Sequence, residues 1–295
     1  MTKTAFIAIA GCPNVGKSSI LNKLLGQKLA IVTEKPQTTR TKITGVLTQG
    51  DTQLVFTDTP GLHKPRNKLG EKMVRAADES IAGVDACLFV TEPQGDIRDE
   101  EHALIEKIKK GRIPAVLAIN KVDLIRQKEN LIPRMELFAR LHDFEAIIPV
   151  SAANGDNMDV LKSELEKFAA ESVHFFPGDT LTDQPERVLA AEIIREKTLR
   201  FLDKEVPHGI AISIEKMRAR EGTDLTDIDA VIYCEKDSHK GIIIGKGGQT
   251  LKRIATRARE DMERFFDCRI NLSCHVKVSE GWRNREGFIR SLGLD

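Results

Sequence analysis

Residues 11 to 18 read Gly11-Cys12-Pro13-Asn14-Val15-Gly16-Lys17-Ser18 and satisfy the phosphate-binding pattern G-x-x-x-x-G-K-S/T at every fixed position. The pattern constrains the fold because it has meaning only between a strand and a helix. Glycines let backbone N–H groups turn inward around phosphate oxygens, the lysine reaches the β- and γ-phosphates, and the hydroxyl coordinates Mg²⁺. The flanks supply that context. Residues 4–10 are an apolar run suited to a buried parallel strand, and residues 19–25 place Ile20, Leu21, Leu24 and Leu25 at helical spacing. A bound phosphate then lies at a helix N-terminus, where free N–H groups and the dipole favour an anion.

Further loops recur at the ends of apolar strands. Residues 43–48 and 53–57 read as two strands meeting at Gly50-Asp51, a hairpin signature, and the second ends in Asp58-Thr59-Pro60-Gly61. A carboxylate there, after a phosphate loop, is where such proteins hold Mg²⁺, and Gly61 lets a backbone N–H approach a γ-phosphate. The strand at 114–119 ends in Asn120-Lys121-Val122-Asp123. The Asp123 carboxylate suits the N1–H and N2–H₂ donors of guanine, whereas adenine would leave it unpaired, a mismatch that discriminates strongly. Asn120 is expected to tie this loop to the phosphate loop and the Lys121 stem to cover the base. The strand at 146–150 ends in Ser151-Ala152, whose backbone can donate to guanine O6. Ligands of open α/β sheets bind at this edge. Between the first helix and the hairpin, Pro36-Gln37-Thr38-Thr39-Arg40 reads as a loop able to close over a nucleotide with a threonine hydroxyl.

The 295 residues predict about two domains, and five cysteines without a C-x-x-C pair point to a reducing, cytoplasmic protein lacking a disulfide or zinc framework. No apolar stretch approaches the ~18 residues of a membrane helix, and residues 1–3 run straight into the first strand, which leaves no room for a signal peptide. The net charge of +1 conceals an asymmetry: residues 181–239 carry 9 basic and 13 acidic side chains, residues 240–295 carry 12 and 7. A basic last segment predicts a face for a polyanion. We expect domains at 1–172 and 186–295, with 173–185, containing Pro177, Gly178 and Pro185, as a linker that permits relative motion.

In the second domain, a helix over 186–204 and strands at 210–214 and 229–234 precede Ile242-Ile243-Ile244-Gly245-Lys246-Gly247-Gly248, which opens a basic helix over 249–266 carrying Lys252 and Arg253. The glycines permit close approach to a nucleic-acid backbone, Lys246 adds charge, and the isoleucines are expected to form a groove for unstacked bases. A second phosphate loop of the first kind is excluded, because residues 241–248 lack the G-K-S/T ending. Residues 270–279 alternate as a strand. Trp282 reads as a packing anchor rather than a stacking platform.

Taken in order, residues 11–18, 58–61, 120–123 and 151–152 resemble the motifs of translation-factor-type GTPases, and Gly245-Lys246-Gly247-Gly248 resembles the G-x-x-G loop of KH modules, with the element order of the bacterial type. The chain is thus similar, over essentially its whole length, to the bacterial ribosome-assembly GTPases that join one such domain to one C-terminal KH domain. The resemblance implies an α/β P-loop GTPase domain with a mostly parallel sheet followed by an α+β KH domain of type II, GTP and GDP as ligands, and slow hydrolysis of GTP. It implies nucleotide contacts along Gly11 to Ser18, Asp58 to Leu62, Asn120 to Asp123 and Ser151-Ala152, with Lys17, Thr39 and Gly61 closest to the reaction. Ser18 and Asp58 become Mg²⁺ ligands together with Thr39, or with Thr38 in its place. One departure stands out: where Ras-type GTPases place a water-orienting glutamine, this chain has Leu62. Asn14 resembles an asparagine that helps hold K⁺ beside the phosphates in several members, and the other reading is that it only shapes the loop. The implied partners are the 3′ end of small-subunit ribosomal RNA, contacted by Ile242 to Gly248, Lys252 and Arg253, and the 30S subunit, with a monomeric chain and peripheral inner-membrane contact. A constitutive RNA-binding protein using GTP as a structural ligand, or a membrane-signalling GTPase, are the alternatives.

Overall fold

The computed structural model describes residues 1–33, 35, 38–61, 65, 67–203 and 205–294. By packing, the described residues form two units, one drawn from 1–32, 39–65 and 73–183, the other from 33–38, 66–72 and 184–295.

The first unit is a sheet ordered β2-β3-β1-β4-β5-β6, with β1 Lys3–Ala10, β2 Ile43–Gln49, β3 Thr52–Asp58, β4 Ala86–Thr91, β5 Ala115–Ile119 and β6 Ala146–Pro149. β2 runs antiparallel to β3, and the other pairs along this path are parallel. β4 and β5 are buried along their whole length, as strands covered on both faces must be, which is why they read as unbroken apolar runs. The helices are α1 Lys17–Leu25, α2 Lys68–Glu79 from Met73 onward, α3 Asp99–Gly111, α4 Ile132–Leu141 and α5 Met158–Glu166. Phe89, Leu104, Ile108, Leu117 and Phe138 pack into one core between β4, β5, α3 and α4. The strand order reverses at β1, flanked by β3 and β4, so the loops after β1 and β4 border the crevice where such sheets bind ligands.

The segment expected as a linker is instead fastened to this unit through Asp183. α5 stops at Glu166, and β7 Ala170–Glu171 pairs antiparallel with Lys3 and Thr4. Buried Gln53 then accepts from the backbone N–H groups of Phe175 and Phe176 at 2.8 and 3.1 Å and donates to the Phe176 carbonyl at 2.9 Å. The Val46 N–H donates to the Leu181 carbonyl at 2.8 Å and the Thr182 hydroxyl to the Thr44 carbonyl at 2.6 Å. An extended chain beside a sheet satisfies its backbone in this way instead of through solvent.

The second unit follows the order α6 Glu186–Phe201, β8 Ala211–Ala219, β9 Leu225–Cys234, α7 Asp237–Ile244, α8 Gln249–Phe266, β10 Arg269–Val278 and α9 Glu286–Ser291. β9 lies centrally, antiparallel to β8 and parallel to β10, and α6 and α8 pack together through a core containing Ile194, Ile254, Ala258 and Met262. The isoleucine run before the glycine loop is helical, although β-branched residues favour strands, because Ile243 finds a fully buried site on that face. Trp282 is fully buried with its indole N–H donated to the Gly209 carbonyl at 2.9 Å, a packing anchor as expected.

Candidate functional site

The phosphate loop joins β1 to α1 through backbone conformations that side chains resist. Gly11 has φ 151°, and a Cβ there would stand 2.2 Å from the Val90 carbonyl oxygen. Gly16, at φ 96°, caps α1 without any side-chain hydrogen bond, and the first turn of α1 holds no acid. Its N–H groups are therefore left to an external anion, in contrast to α3, whose first turn carries Asp99, Glu100 and Glu101. Pro13 is partly buried, Val15 fully so, and Asn14 is exposed at φ 64°. Burial pushes the Cys12 thiol up to about 11. The Lys17 ammonium, also buried, donates to the Gly11 and Cys12 carbonyls at 3.0 and 2.9 Å.

Three oxygens meet beside this lysine. Ser18 Oγ donates to Asp58 Oδ2 at 2.6 Å and lies 3.0 Å from Thr39 Oγ1. Asp58 is fully buried, and among the described residues its Oδ1 has no hydrogen-bond partner. Burial drives the Asp58 carboxyl upward against the lowering influence of Lys17 and Ser18, and burial likewise drives Lys17 downward against Asp58. An orphaned carboxylate oxygen beside two hydroxyls is a donor set that suits a small hard cation such as Mg²⁺. Of the two candidate threonines, only Thr39 stands in this cluster: the Thr38 hydroxyl donates to the Lys35 carbonyl at 2.6 Å and lies 2.7 Å from that of Thr33.

Thr59 and Pro60 are buried after β3, with the Thr59 hydroxyl donating to the Ile9 carbonyl at 3.0 Å. Gly61 approaches the phosphate loop so closely that a Cβ would come within 2.7 Å of Pro13 Cα. Pro36, Gln37 and Leu62 lie outside the described residues.

The base-recognition loops are stitched together. Asn120 Nδ2 donates to the Val15 carbonyl at 2.9 Å, and its Oδ1 accepts from the Ala152 N–H at 3.0 Å. Ser151 is buried and donates to Asp123 Oδ1 at 2.6 Å, orienting an otherwise exposed carboxylate. Val122 is buried and anchors the loop, while Lys121 adopts φ 67°. Gly16, Asn120, Lys121, Asp123 and Ala152 share one cavity of about 680 Å³.

In the second unit, Gly245, Gly247 and Gly248 have φ of 72°, 57° and 76°, and Gly248 caps α8 without a side chain. The first turn of α8 has no acid to repel a phosphate, although within the loop the Gly245, Gly248 and Gln249 N–H groups already donate to the Gly241, Gly245 and Lys246 carbonyls. Lys246 and Lys252 are exposed and make no ion pair among the described residues. Ile242 is 51% exposed and Ile244 half-buried, but Ile243 is fully buried and belongs to the core, which corrects its expected place in a base groove. The basic helix is also less basic than its sequence reads. Arg257 pairs with Glu260, Arg259 with Glu263 and Arg264 with Asp261, while Arg253 lies 4.7 Å over the Phe201 ring.

A sheet with a P-loop, a buried strand-end aspartate and an Asn-Lys-x-Asp loop, followed by a glycine loop between two helices on a three-stranded sheet, defines a GTPase carrying a KH domain. Family models agree: residues 6–121 match the 50S ribosome-binding GTPase family and residues 205–283 the KH domain. The chain is 47% identical to GTPase Era of Clostridioides difficile over 295 residues, covering 100% of this chain and 99% of that protein. It is also 47% identical to GTPase Era of Alkaliphilus metalliredigens, covering 99% of each. Among solved structures, a variant of Aquifex aeolicus Era bound to GDP·AlF4⁻ superposes with TM-score 0.95 at 36% identity, covering 99% of both chains. Era in complex with MgGDPNP and nucleotides 1506–1542 of 16S ribosomal RNA gives the same score and identity, covering 100% of this chain and 99% of that one. The chain belongs to the Era family of GTPases.

Proposed function

We propose that this GTPase is a nucleotide-controlled RNA clamp that binds the single-stranded 3′ end of small-subunit ribosomal RNA and assists 30S assembly. The observation that carries the switch is the Thr39 hydroxyl set 3.0 Å from Ser18 Oγ, in a loop that can sense a γ-phosphate. The RNA assignment is supported by the glycine loop opening α8, and by a relative of the same fold that holds both MgGDPNP and 16S ribosomal RNA.

In this reading the backbone N–H groups of residues 14–18 and the Lys17 ammonium bind and orient the phosphates, Asn120, Lys121, Asp123, Ser151 and Ala152 take the guanine, and the Gly61 N–H faces the γ-phosphate. Ser18, Thr39 and Asp58 would hold Mg²⁺, which when bound would offset the negative charge of the phosphates. No glutamine follows Gly61, so intrinsic hydrolysis is slow. Asn14 helps to hold K⁺ beside the phosphates, and equal turnover in sodium and potassium would count against that role. Gly245 to Gly248, Lys246, Lys252, Arg253 and the outward Ile242 and Ile244 grip the RNA. The chain acts as a cytoplasmic monomer that touches the inner membrane peripherally; no helix among the described residues is long and apolar enough to cross a membrane.

The test is affinity for a single-stranded RNA copying the 3′ end of small-subunit ribosomal RNA, with the protein loaded with GDP or a non-hydrolysable GTP analogue. A tenfold difference, about 1.4 kcal/mol, is expected of linked sites. Equal tight binding would replace the switch with a fixed tether, and absence of binding in both states would refute the RNA assignment.

A further inference from the structure

The loop after β4, residues 92–98, borders the nucleotide crevice from the side opposite β3 and carries none of the motif residues. Its first residue is Glu92. Lys121 Nζ donates to Glu92 Oε1 at 2.6 Å, and Arg98 Nη2 donates to Glu92 Oε2 at 3.1 Å. The Lys121 and Glu92 side chains are only 33% and 28% exposed, so solvent screens this pair less than a surface one.

The loop is held from beneath by a buried polar network. Arg134 of α4 donates to the Gly95 carbonyl at 2.8 Å and to the Thr91 hydroxyl at 3.2 Å. The Thr91 hydroxyl donates to Glu101 Oε1 at 2.5 Å, and the Arg98 N–H to Glu101 Oε2 at 2.9 Å. The Arg134 and Glu101 side chains are 7% and 3% exposed. A buried pair of this kind adds little net stability, but removing either member strands the other, so the arrangement tolerates few alternatives. Gly95, at φ 95°, is the bend that brings its carbonyl to Arg134.

We propose that Glu92 is a positioning residue of the nucleotide site: it tethers the Lys121 ammonium so that the lysine stem is laid across the face of the base before the nucleotide arrives, with Arg134 and Glu101 fixing the loop that carries it. This rests on the reading of Lys121 and Asp123 as the guanine grip. A free lysine stem samples many rotamers and loses them on binding, whereas a tethered stem has lost them on folding. Glu92 thereby lengthens residence of the nucleotide without touching it.

The experiment measures release of a fluorescent GDP analogue from the full chain carrying Glu92→Gln, Lys121→Met, or both. Glu92→Gln is expected to release GDP about tenfold faster, the scale of one charge-assisted hydrogen bond. Adding it to Lys121→Met should then change nothing more, because the ammonium it holds is already gone. Release within about twofold of the parent, or losses that multiply in the double variant, would overturn the proposal. Arg98→Gln removes the other partner of Glu92 and should leave release unchanged; a loss equal to that of Glu92→Gln would reassign Glu92 to loop packing and overturn it as well. Asp123→Asn in the same assay separates the underlying reading. A shift of preference to xanthosine nucleotides with a silent Glu92→Gln defeats only the role of Glu92, while an unshifted preference defeats the guanine grip and the proposal together.

Discussion

The Asn120 amide occupies the space that a side chain on Gly16 would fill: a Cβ there would lie 2.2 Å from Asn120 Nδ2, which donates instead to the neighbouring Val15 carbonyl at 2.9 Å. Two loops separated by more than a hundred residues are thus joined at one glycine. Gly16→Ala would push Asn120 away, break its bonds to Val15 and Ala152, and add strain at φ 96°. Guanine nucleotide affinity should fall by about a hundredfold or more, the cost of two buried hydrogen bonds plus strain. Equilibrium GDP binding checks this, and a loss below threefold would deny the junction its importance.

Lys17→Ala should abolish triphosphate binding, and with it the response of RNA affinity to a GTP analogue, while leaving the second unit folded. The ammonium is buried and bonded to the Gly11 and Cys12 carbonyls, so its loss empties the phosphate loop of its one resident charge without reaching α8. Parallel titrations with a GTP analogue and with RNA decide it; retained GTP affinity would refute the phosphate-loop assignment.

The Mg²⁺ requirement should depend on pH with a defined sign. Burial raises the Asp58 carboxyl, and a metal ligand must be deprotonated, so metal binding displaces a proton. Affinity for the Mg²⁺–GTP pair should therefore fall as pH drops through the raised value and be complete above it. Asp58→Asn should flatten the profile and weaken Mg²⁺ dependence together. Nucleotide binding followed from pH 8 to pH 5, with and without Mg²⁺, is the measurement, and an identical slope in the variant would remove Asp58 from the metal site.

Gly247→Asp should weaken RNA binding by about tenfold or more without changing GDP affinity. Gly247 has φ 57° and open space around its Cα, so an aspartate there imposes strain and puts a negative charge where a phosphate should approach. Anisotropy titrations with the ribosomal RNA segment test it, with Lys246→Ala as a milder neighbour. Unchanged RNA affinity in both would place the RNA face elsewhere.

The nucleotide site was legible because each part is a short loop whose residue types have one chemical purpose, and because the apolar strand before each loop declares itself by composition. Thr39 could not be separated from Thr38 by sequence, since both hydroxyls lie in one loop and only the backbone path decides which meets Ser18. Ile243 was misplaced for a related reason: three successive isoleucines read alike, but a helix distributes them around its axis and buries the middle one. The arginines of α8 were counted as surplus charge although acids three or four residues away in sequence neutralise them. Glu92 and Arg134 belong to no motif, and the contacts of Glu92 with Lys121 and of Arg134 with Thr91 and Gly95 exist only after β4, β5 and α4 are assembled.

The bonds made by Gln53 bear on where this protein can be cut. A fragment ended at residue 172 would retain β3 but strip the buried Gln53 amide of Phe175 and Phe176, and each orphaned polar group would cost about 1 to 3 kcal/mol. A fragment extended to Asp183 keeps those bonds and the ones from Leu181 and Thr182. The natural seam for a protease or a cloning boundary therefore falls just before α6, about ten residues later than proline and glycine placement advertises, and the shorter fragment would carry its instability in a side chain far in sequence from the severed end.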